Sequence, residues 1–504
     1  MLSVINSLII IALGHKAVIY FRMPPDLSKK IKIIFLGVLS GMLSACMTYG
    51  DGTPPKVALP ELWPGKKILS QEQELPTNPW WKQLKSEELD QFISESLANN
   101  RQIQQSLNNI EQAQAQLDTV KLGWLPSLNF LGGTINGNTT LFFQGLSVPV
   151  ANVGGFVGFL PTYVVNLFQQ PAKQMQAGQI LEASQADYLA VRAAIISQVT
   201  TAYIAVLVTE RQGQILDDMQ QSLKKRVVLS AALTSRGLST DFGQNQLELE
   251  LNAISGQLAI NNANHQAAQN TLLILVGRSV GRIKTAQSLS QINADIPAPG
   301  NLPASVVATR PDVAAARARL DATNYGVTAT ASLLLPSISL NALVTNIKTT
   351  NNGANASSNA NFQAAYAAWV LDPKVIGAIS SSNVIYKSAL IAYVDAVNNA
   401  LRETDDALSA YQGQQVKLKH DSEAFMKSTA NLKISESMYR QGLISQSQFL
   451  EARAQYDLVE IALTQTKLTE LIALAKLYQS MGAGSIYEEQ KLEISNGKVQ
   501  STQK

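Results

Sequence analysis

Residues 335–344 read Leu-Pro-Ser-Ile-Ser-Leu-Asn-Ala-Leu-Val, and this stretch decides the fold because it joins a helical pattern to a strand pattern. Pro336 ends the helix that precedes it and favours an extended backbone on its N-terminal side. The residues after it alternate, with Ile338, Leu340, Ala342 and Val344 on one face and Ser337, Ser339 and Asn341 on the other. This period of two predicts a strand with one apolar and one polar face.

A similar junction, Leu-Pro-Ser-Leu-Asn-Phe, occurs at residues 125–130, and other stretches also recur in the same order. The recurring pairs are Tyr188–Ala202 with Tyr393–Ala407, and Ser235–Ser239 with Arg440–Ile444. The two copies are roughly 200 residues long, far longer than the repeats of a solenoid. We therefore predict a tandem duplication of one structural unit.

Each unit is predicted to contain a helix, a strand hairpin and two long helices. The first helices span about 87–122 and 309–332, the polar hairpin tips 136–140 and 348–360, and the second strands about 153–168 and 362–371. Pro171 and Pro373 are expected to start the long helices, since proline is favoured in the first turn. Gly237 and Gly442 mark the turns to their partner helices.

The last helix of each unit carries an apolar seam with the spacing of a coiled coil. The seam residues are Leu247, Leu251, Ile254 and Leu258, and Phe449, Ala452, Tyr456, Val459 and Leu463. The predicted strands are long enough to cross a bilayer, which takes about 9–11 residues. Open strand edges are not tolerated in lipid, and four strands fall short of the smallest barrel of about 8. The chain is therefore predicted to be an α+β membrane protein that closes its barrel with other copies of itself.

The composition excludes several other classes of protein. The chain has 504 residues, of which 46% are hydrophobic and 15% charged, with a formal net charge of +3 and one Cys. A single Cys excludes a disulfide framework. His15, His265 and His420 are isolated from one another, so no metal site and no cofactor are predicted. The sequence has no basic patch of the kind that binds nucleic acid.

Residues 1–45 have the pattern of a leader that is removed. Basic residues from Lys29 and an apolar stretch from Ile33 precede Leu43-Ser44-Ala45-Cys46, which matches a bacterial lipobox with a lipid-modified Cys46. An ordinary signal peptide with a chance Cys is the alternative. The start at Met1 or Met23 stays open. The leader holds five Lys or Arg against one Asp, so the remaining chain is close to neutral.

The residues quoted above resemble the TolC-type outer-membrane efflux proteins, within them the lipoprotein branch that works with resistance-nodulation-division pumps. The most specific stretch is Thr309-Arg310-Pro311-Asp312-Val313-Ala314-Ala315-Ala316-Arg317-Ala318-Arg319-Leu320 followed by the strand at 335–340. Supporting pieces are Trp80-Trp81, Tyr439-Arg440-Gln441-Gly442, Leu450-Glu451-Ala452 and Leu477-Tyr478. The likeness runs from about residue 79 to 484.

This resemblance implies a homotrimer with a twelve-stranded barrel in the outer membrane and a helical tunnel in the periplasm. It implies a passive exit duct for toxic compounds, with an outer-membrane lipid environment, a periplasmic adaptor and an inner-membrane pump as partners. The implied division is a leader at 1–45, repeats at 87–277 and 309–481, and equatorial segments at 46–86, 278–308 and 482–504. The exported substrate and the particular pump stay open.

The resemblance also implies a gate at the periplasmic end. The implied gate residues are Thr240, Asp241, Tyr439, Gln448 and Glu451. Thr240 and Asp241 would face Tyr439, while Gln448 and Glu451 would stand in a ring that is usually acidic. Gln448 departs from that pattern, as does Ile444, where Arg is common. The helix tips expected to dock the adaptor are Arg236, Gly237, Leu238, Gln441, Gly442 and Leu443.

Two other functions remain open from the sequence. A coiled-coil structural or adhesive lipoprotein explains the seam and Cys46, but not two hairpins of membrane length. A hydrolase would rest on Gly277-Arg278-Ser279-Val280-Gly281, which fits G-x-S-x-G. That motif requires a strand before the Ser, whereas a helix is predicted before Ser279. We expect a helix-ending turn there and no enzyme activity.

The remaining acidic pairs have simpler interpretations. Asp405-Asp406 and Glu488-Glu489 are adjacent residues, which point to different faces of a helix and so fit a solvated surface better than a metal site. Arg310 and Asp312 are expected to cap and pair locally.

Overall fold

The computed structural model describes residues 79–135, 139–143, 146–150, 153–238, 240–292, 310–351, 354–368 and 372–482, and the short strands 494–495 and 498–499. All of them fall in the unit Pro54–Lys504, the second of two. The predicted leader, Cys46, Glu488-Glu489 and most of the three equatorial segments lie outside the described residues.

The two halves contain the same series of elements. The first half consists of α1 (Glu87–Asn99), α2 (Arg101–Leu122), β1 (Ser127–Ile135), β2 (Thr139–Phe143), β3 (Leu146–Val150), β4 (Val153–Val165), α3 (Gln169–Thr234) and α4 (Asp241–Leu275). The second consists of α5 (Pro311–Ala331), β5 (Ser337–Asn351), β6 (Ala354–Ala368), α6 (Lys374–Arg440) and α7 (Gln446–Ser480). Helices α3 and α6 have 66 and 67 residues, and α4 and α7 have 35 each. The predicted fold class, with its duplicated strands and long helices, is confirmed.

The segment 87–122, predicted as one helix, is two. Asn100 separates α1 from α2 because its side-chain oxygen accepts the backbone N–H groups of Gln102 and Ile103, at 2.8 and 3.3 Å. Its amide also donates to the Leu275 carbonyl, at 2.8 Å. An Asn side chain commonly caps a new helix in this way. The break therefore fixes α1 against the end of α4.

The second predicted polar tip, 348–360, was wrong, because strands occupy all of its described residues. Of the first, 136–140, only Thr139 and Thr140 are described, and they begin β2. β5 continues to Asn351 and β6 begins at Ala354, with these two residues paired. In the first half, β2 and β3 form a further hairpin beyond β1 and β4. Loops were expected because the alternation of apolar residues ends there. The strands continue because their backbone groups pair with each other whatever the polarity of the side chains. The second strands accordingly end at Val165 and Ala368.

The main sheet has the order β1-β4-β5-β6, with every pair antiparallel. β4 pairs with β5 and so joins the two halves. Within the described residues, β1 and β6 each pair with only one strand of this sheet. One face exposes Leu128, Phe130 and Val157 at 59, 80 and 71%. The opposite face buries Leu343 to 3% exposure, so the sheet is curled with Leu343 on its concave side.

The main core lies among the helices, where α1, α3, α4, α6 and α7 meet. Trp80, in a short 3-10 helix at Trp80–Leu84, stacks on Tyr478 with ring centroids 5.1 Å apart. The largest fully buried side chains include Trp80, Tyr203, Tyr411, Tyr478, Leu84, Leu89, Ile195 and Ile196. Each such side chain contributes about 1.5–3 kcal/mol to folding. The tryptophan pair noted in the sequence is therefore structural.

Arg310 fastens three helices at the start of the second half. It precedes α5, whose first residue is Pro311, and its guanidinium pairs with Asp312 at 2.7 Å and with Glu403 on α6 at 2.9 Å. The same group donates to the carbonyl of Ser480, the last residue of α7, at 2.8 Å. The expected local pairing with Asp312 is confirmed, and the contacts to α6 and α7 extend it. We call Arg310 with these partners the arginine clasp.

We predict that Arg310→Met lowers the free energy of unfolding by about 2–4 kcal/mol, because a buried charged donor loses several hydrogen bonds. The matched control is Arg317→Met on the same helix, where Arg317 is 39% exposed and pairs with Asp321 one turn away. That surface pair is worth less than about 1 kcal/mol. Denaturant unfolding of the purified protein measures both, and equal effects would show that the clasp carries no special stability.

Candidate channel-forming elements and gate

The two long helical hairpins end in turns of the same design. Gly237 and Gly442 have φ of 70° and 78°, and the N–H of the next residue reaches back to Leu233 at 2.9 Å or to Met438 at 2.8 Å. This is the glycine-terminated helix end that satisfies the last carbonyls. A Cβ at either Gly would meet nothing within 4 Å, so the backbone conformation and not crowding requires glycine. The predicted tip residues Arg236–Leu238 and Gln441–Leu443 therefore occupy equivalent turns.

The helices that leave these turns begin with side-chain caps. Thr240 caps α4, with its hydroxyl accepting the Gly243 N–H at 3.4 Å, and Asp241 is the first helical residue. Ser445 caps α7, and the Gln448 side-chain oxygen accepts the Ser445 N–H at 2.9 Å in a capping box. A capping box uses Gln as readily as Glu. Gln448 is therefore engaged in shaping the helix start.

Tyr439 stacks on Phe449, with ring centroids 5.3 Å apart and nearly parallel planes. The described part of the chain contains no hydrogen bond from Tyr439 to Thr240 or Asp241. Asp241 and Glu451 are both exposed. Within one chain, Tyr439 on α6 therefore contacts α7, the partner helix in its own hairpin. The predicted contacts of Thr240 and Asp241 with Tyr439 stay a prediction.

A charge network between the two hairpins was not predicted from the sequence. Arg211 on α3 donates to Glu460 on α7 at 2.9 Å. Two helical turns nearer the tip, Arg453 lies 4.0 Å from Asp218 on α3 and donates to Asp457 at 3.1 Å. Burial raises the pKa of Asp457 despite the opposing effect of Arg453. The spacing of Arg453 and Asp457 was a readable signal for a local pair, but the partners on α3 required the tertiary structure.

Within the second hairpin, Asp421 on α6 and Thr466 on α7 form a partly buried link. The Thr466 hydroxyl donates to Asp421 at 2.6 Å, and Lys417 donates to the same carboxylate at 2.6 Å. Lys417 and then Thr466 hold the pKa of Asp421 below its ordinary value of 3.8. The link therefore stabilises the hairpin while Asp421 is ionised.

We predict that Asp421→Asn lowers the free energy of unfolding at pH 7 by about 1 kcal/mol, through loss of charge-assisted hydrogen bonds. Because the folded-state pKa is lowered, this stability is present above the unfolded pKa and disappears as the pH falls through the folded pKa. Thermal unfolding between pH 7 and pH 2 should show the two proteins converging at acid pH. Asp406→Asn, at a side chain 65% exposed, is the control, and a difference that persists at pH 2 would contradict the assignment.

Two helices of the described chain, α3 and α6, are long and apolar enough to cross a membrane by length and composition. In α3, 67% of the apolar window is buried within the chain, whereas in α6 none of it is. The α6 surface exposes Ile376, Val384, Ile385 and Ile391. The α3 window is therefore explained by the core, while the α6 surface lacks a cover in one chain.

The sequence motifs that suggested chemistry have structural roles. Gly277 follows α4 with φ of 81°, and Arg278 pairs with Glu95 at 2.5 Å. Ser279 thus follows a helix, in the helix-ending turn predicted for it. Among the described residues, no group of three or more His, Cys, Asp or Glu could hold a metal ion.

A curled sheet with an apolar convex face and, among the described residues, two unpaired edges, continued by long paired helices, is typical of a subunit of a membrane channel. Residues 302–483, which include α5 to α7, match the family described as "Outer membrane efflux protein". The predicted resemblance to these proteins is confirmed for this part of the chain.

Relatives match most of the chain. The outer membrane protein OprJ of Pseudomonas aeruginosa is 25% identical over 460 residues, which cover 88% of this chain and 94% of OprJ. The cation efflux system protein CusC of Escherichia coli is 21% identical over 78% of this chain and 85% of its own. The solved structure of the outer-membrane channel OprN has a TM-score of 0.70 and 20% identity, and covers 88% of this chain and 100% of OprN. The fold is therefore that of outer-membrane channels.

Proposed function

We propose that the chain is the outer-membrane exit duct of a tripartite efflux pump and that three copies form one duct. The observation that carries this proposal is the pair of sheet edges, β1 and β6, that have no further partner among the described residues, on a sheet whose convex face is apolar. In lipid such edges must be paired. Three copies, with β6 of one beside β1 of the next, close a barrel of twelve strands. The exposed apolar surface of α6 is then covered by a neighbouring copy.

The other components follow from the shape of a duct and from the names of relatives. The chain performs no bond chemistry and acts as a passive conduit, so the energy comes from an inner-membrane pump that reaches it through a periplasmic adaptor. Relatives are named as efflux proteins, among them the toluene efflux pump outer membrane protein TtgC of Pseudomonas putida. We assign this chain to the export of drugs and other toxic compounds.

The same proposal places the sheet in the outer membrane and the helices in the periplasm. The chain is further held by lipid on Cys46, in keeping with the lipobox. The segments 46–86, 278–308 and 482–504 surround the middle of the tube, between the repeats at 87–277 and 309–481. Incorporation of labelled palmitate, and its absence from a Cys46→Ser variant, measures the anchor.

Deletion of the gene is expected to lower the tolerance of cells to amphipathic toxicants at least fourfold, because the exit path is lost. The intact gene should restore tolerance, and Ser279→Ala should restore it equally, since no catalysis is involved. Minimum inhibitory concentrations measure both. Unchanged tolerance together with defective attachment to surfaces would instead support the adhesive lipoprotein.

We infer that the helix tips hold the gate and dock the adaptor. Thr240 and Asp241 at the first tip lie close to Tyr439 at the second, either within a copy or across copies, once the helices form a ring. Glu451 then lines the opening with one carboxylate per copy, while Gln448 contributes no charge. The exposed residues Leu238 and Leu443, at 71 and 66%, offer apolar contacts at each tip, beside Arg236, Gly237, Gln441 and Gly442.

The double variant Asp241→Ala with Tyr439→Phe should raise single-channel conductance in planar bilayers about twofold or more, because the polar link across the opening is removed. Tyr439→Phe keeps the ring that stacks on Phe449, so a change reports the hydroxyl and not the packing. Asp217→Ala, at an exposed acid on α3, is the matched control. No increase over that control would exclude these residues from the gate.

A further inference from the structure

The concave face of the sheet changes character along the strands. On β5 it carries Ser339 and Asn341 near the helices, and farther along Leu343 and Ile347 with Thr345 between them. Leu343 and Ile347 are only 3 and 7% exposed. A concave face with large apolar side chains along part of its length is not what a uniformly water-filled lumen requires.

The neighbouring strand β4 changes in the same place. Thr162 pairs with Asn341 and Gly158 with Thr345, so Leu160, midway between them, lies opposite Leu343. Phe156 pairs with Ile347. Four large apolar side chains therefore form two adjacent rows: Phe156, Leu160, Leu343 and Ile347. We call them the apolar collar.

Glycines on the same face leave room for the collar. A Cβ at Gly133 on β1 would lie 2.8 Å from the Phe156 ring, and one at Gly158 would lie 2.6 Å from the Thr345 methyl group. Side chains on the concave face thus lean across positions that lack one. This packing holds the collar residues over the sheet rather than letting them splay apart.

The convex face supplies the comparison. Val157 and Val344, which alternate with the collar residues on β4 and β5, are 71 and 51% exposed. Side chains on the outside of a curved sheet diverge and those on the inside converge. The collar therefore faces the inside of any barrel that this sheet closes, and the convex residues face lipid.

Resting on the proposed function, we propose that Phe156 and Leu160, the partly exposed members of the apolar collar, line the barrel lumen in three copies above the buried Leu343 and Ile347 and favour contact with amphipathic organic solutes over hydrated ions. Twelve strands about 4.8 Å apart, tilted by about 40°, give a barrel about 24 Å across. Side chains reaching inward from both sides leave about 12 Å, enough for a drug-sized solute in contact with the walls. A hydrated ion passes an opening of this width with its water in place and gains nothing from the apolar collar, whereas an amphipathic solute gains by burying apolar surface against it.

Thiol labelling tests where the collar faces. Leu160→Cys and Val157→Cys lie on the same strand and on opposite faces, and Cys46 is the only native Cys, so the unmodified chain gives the background. A charged, membrane-impermeant maleimide applied to whole cells should label Leu160→Cys at least tenfold faster than Val157→Cys. Labelling of Val157→Cys alone would overturn the assignment of the faces, and equal labelling of both would argue against a barrel, and so against the proposed function.

Protection of the same thiol tests selectivity. Tetraphenylphosphonium, an apolar organic cation, should slow the labelling of Leu160→Cys at least threefold, while tetramethylammonium at the same concentration should not. Labelling that neither cation slows would leave the duct intact but overturn the collar as a site of contact with organic solutes.

A size-matched pair of variants tests transport. Leu160→Gln and Leu160→Met are close in volume, but only the first introduces a polar group into the collar. In cells, Leu160→Gln should lower tolerance to tetraphenylphosphonium at least fourfold while K⁺ conductance of the purified protein stays unchanged, and Leu160→Met should match the native chain in both. Equal behaviour of the two variants, with normal amounts of each in the outer membrane, would show that apolarity at this position does not matter.

Discussion

The structure depends on one constraint: a strand edge cannot be left unpaired in lipid. In the part of the chain that the structure describes, the main sheet has four strands, and its outer members, β1 and β6, have one neighbour each. Backbone N–H and C=O groups in hydrocarbon have no water to bind, so each edge must find another edge. The barrel is therefore a property of the assembly. The apolar surface of α6 is exposed in one chain. It has the same explanation, because the copies that close the barrel also bring these helices together.

Duplication simplifies the rest of the design. Each half makes one strand hairpin and one helical hairpin, and the two helical hairpins end in the same glycine turn. Both hairpins contribute apolar side chains to the main core, the second through Leu408 and Tyr411 on α6 and Leu474 on α7. Farther toward the tips, charged pairs such as Arg211 with Glu460 also join them. A core of apolar side chains resists separation more than a few partly exposed ion pairs do. The hairpins are thus held most firmly at the core and less firmly toward the tips.

The sequence predicted what local patterns determine. Pro126 and Pro336 located both helix-to-strand junctions, and the glycines at 237 and 442 located both tips, because each residue acts on its own backbone. Where a contact with a distant part of the chain determines the local structure, the sequence did not predict it. Asn100 divides a helix and contacts Leu275, and Arg310 reaches Ser480. The gate residues illustrate both cases: the caps at Thr240 and Ser445 are local, but whatever Tyr439 faces across the opening depends on other helices. The strands at the tip were missed because pairing continued after the apolar alternation ended.

The arginine clasp has a mechanical consequence. It joins the start of α5, the middle of α6 and the end of α7 at one buried guanidinium. From Glu403 to the tip at Arg440, α6 runs as a continuous helix, a rigid arm of about 55 Å at 1.5 Å per residue. With such an arm, a tilt of only about 5° at the clasp carries the tip sideways by about 5 Å. The arginine clasp is thus a pivot for α6. A large displacement of the helix tips at the periplasmic opening requires almost no displacement at the membrane.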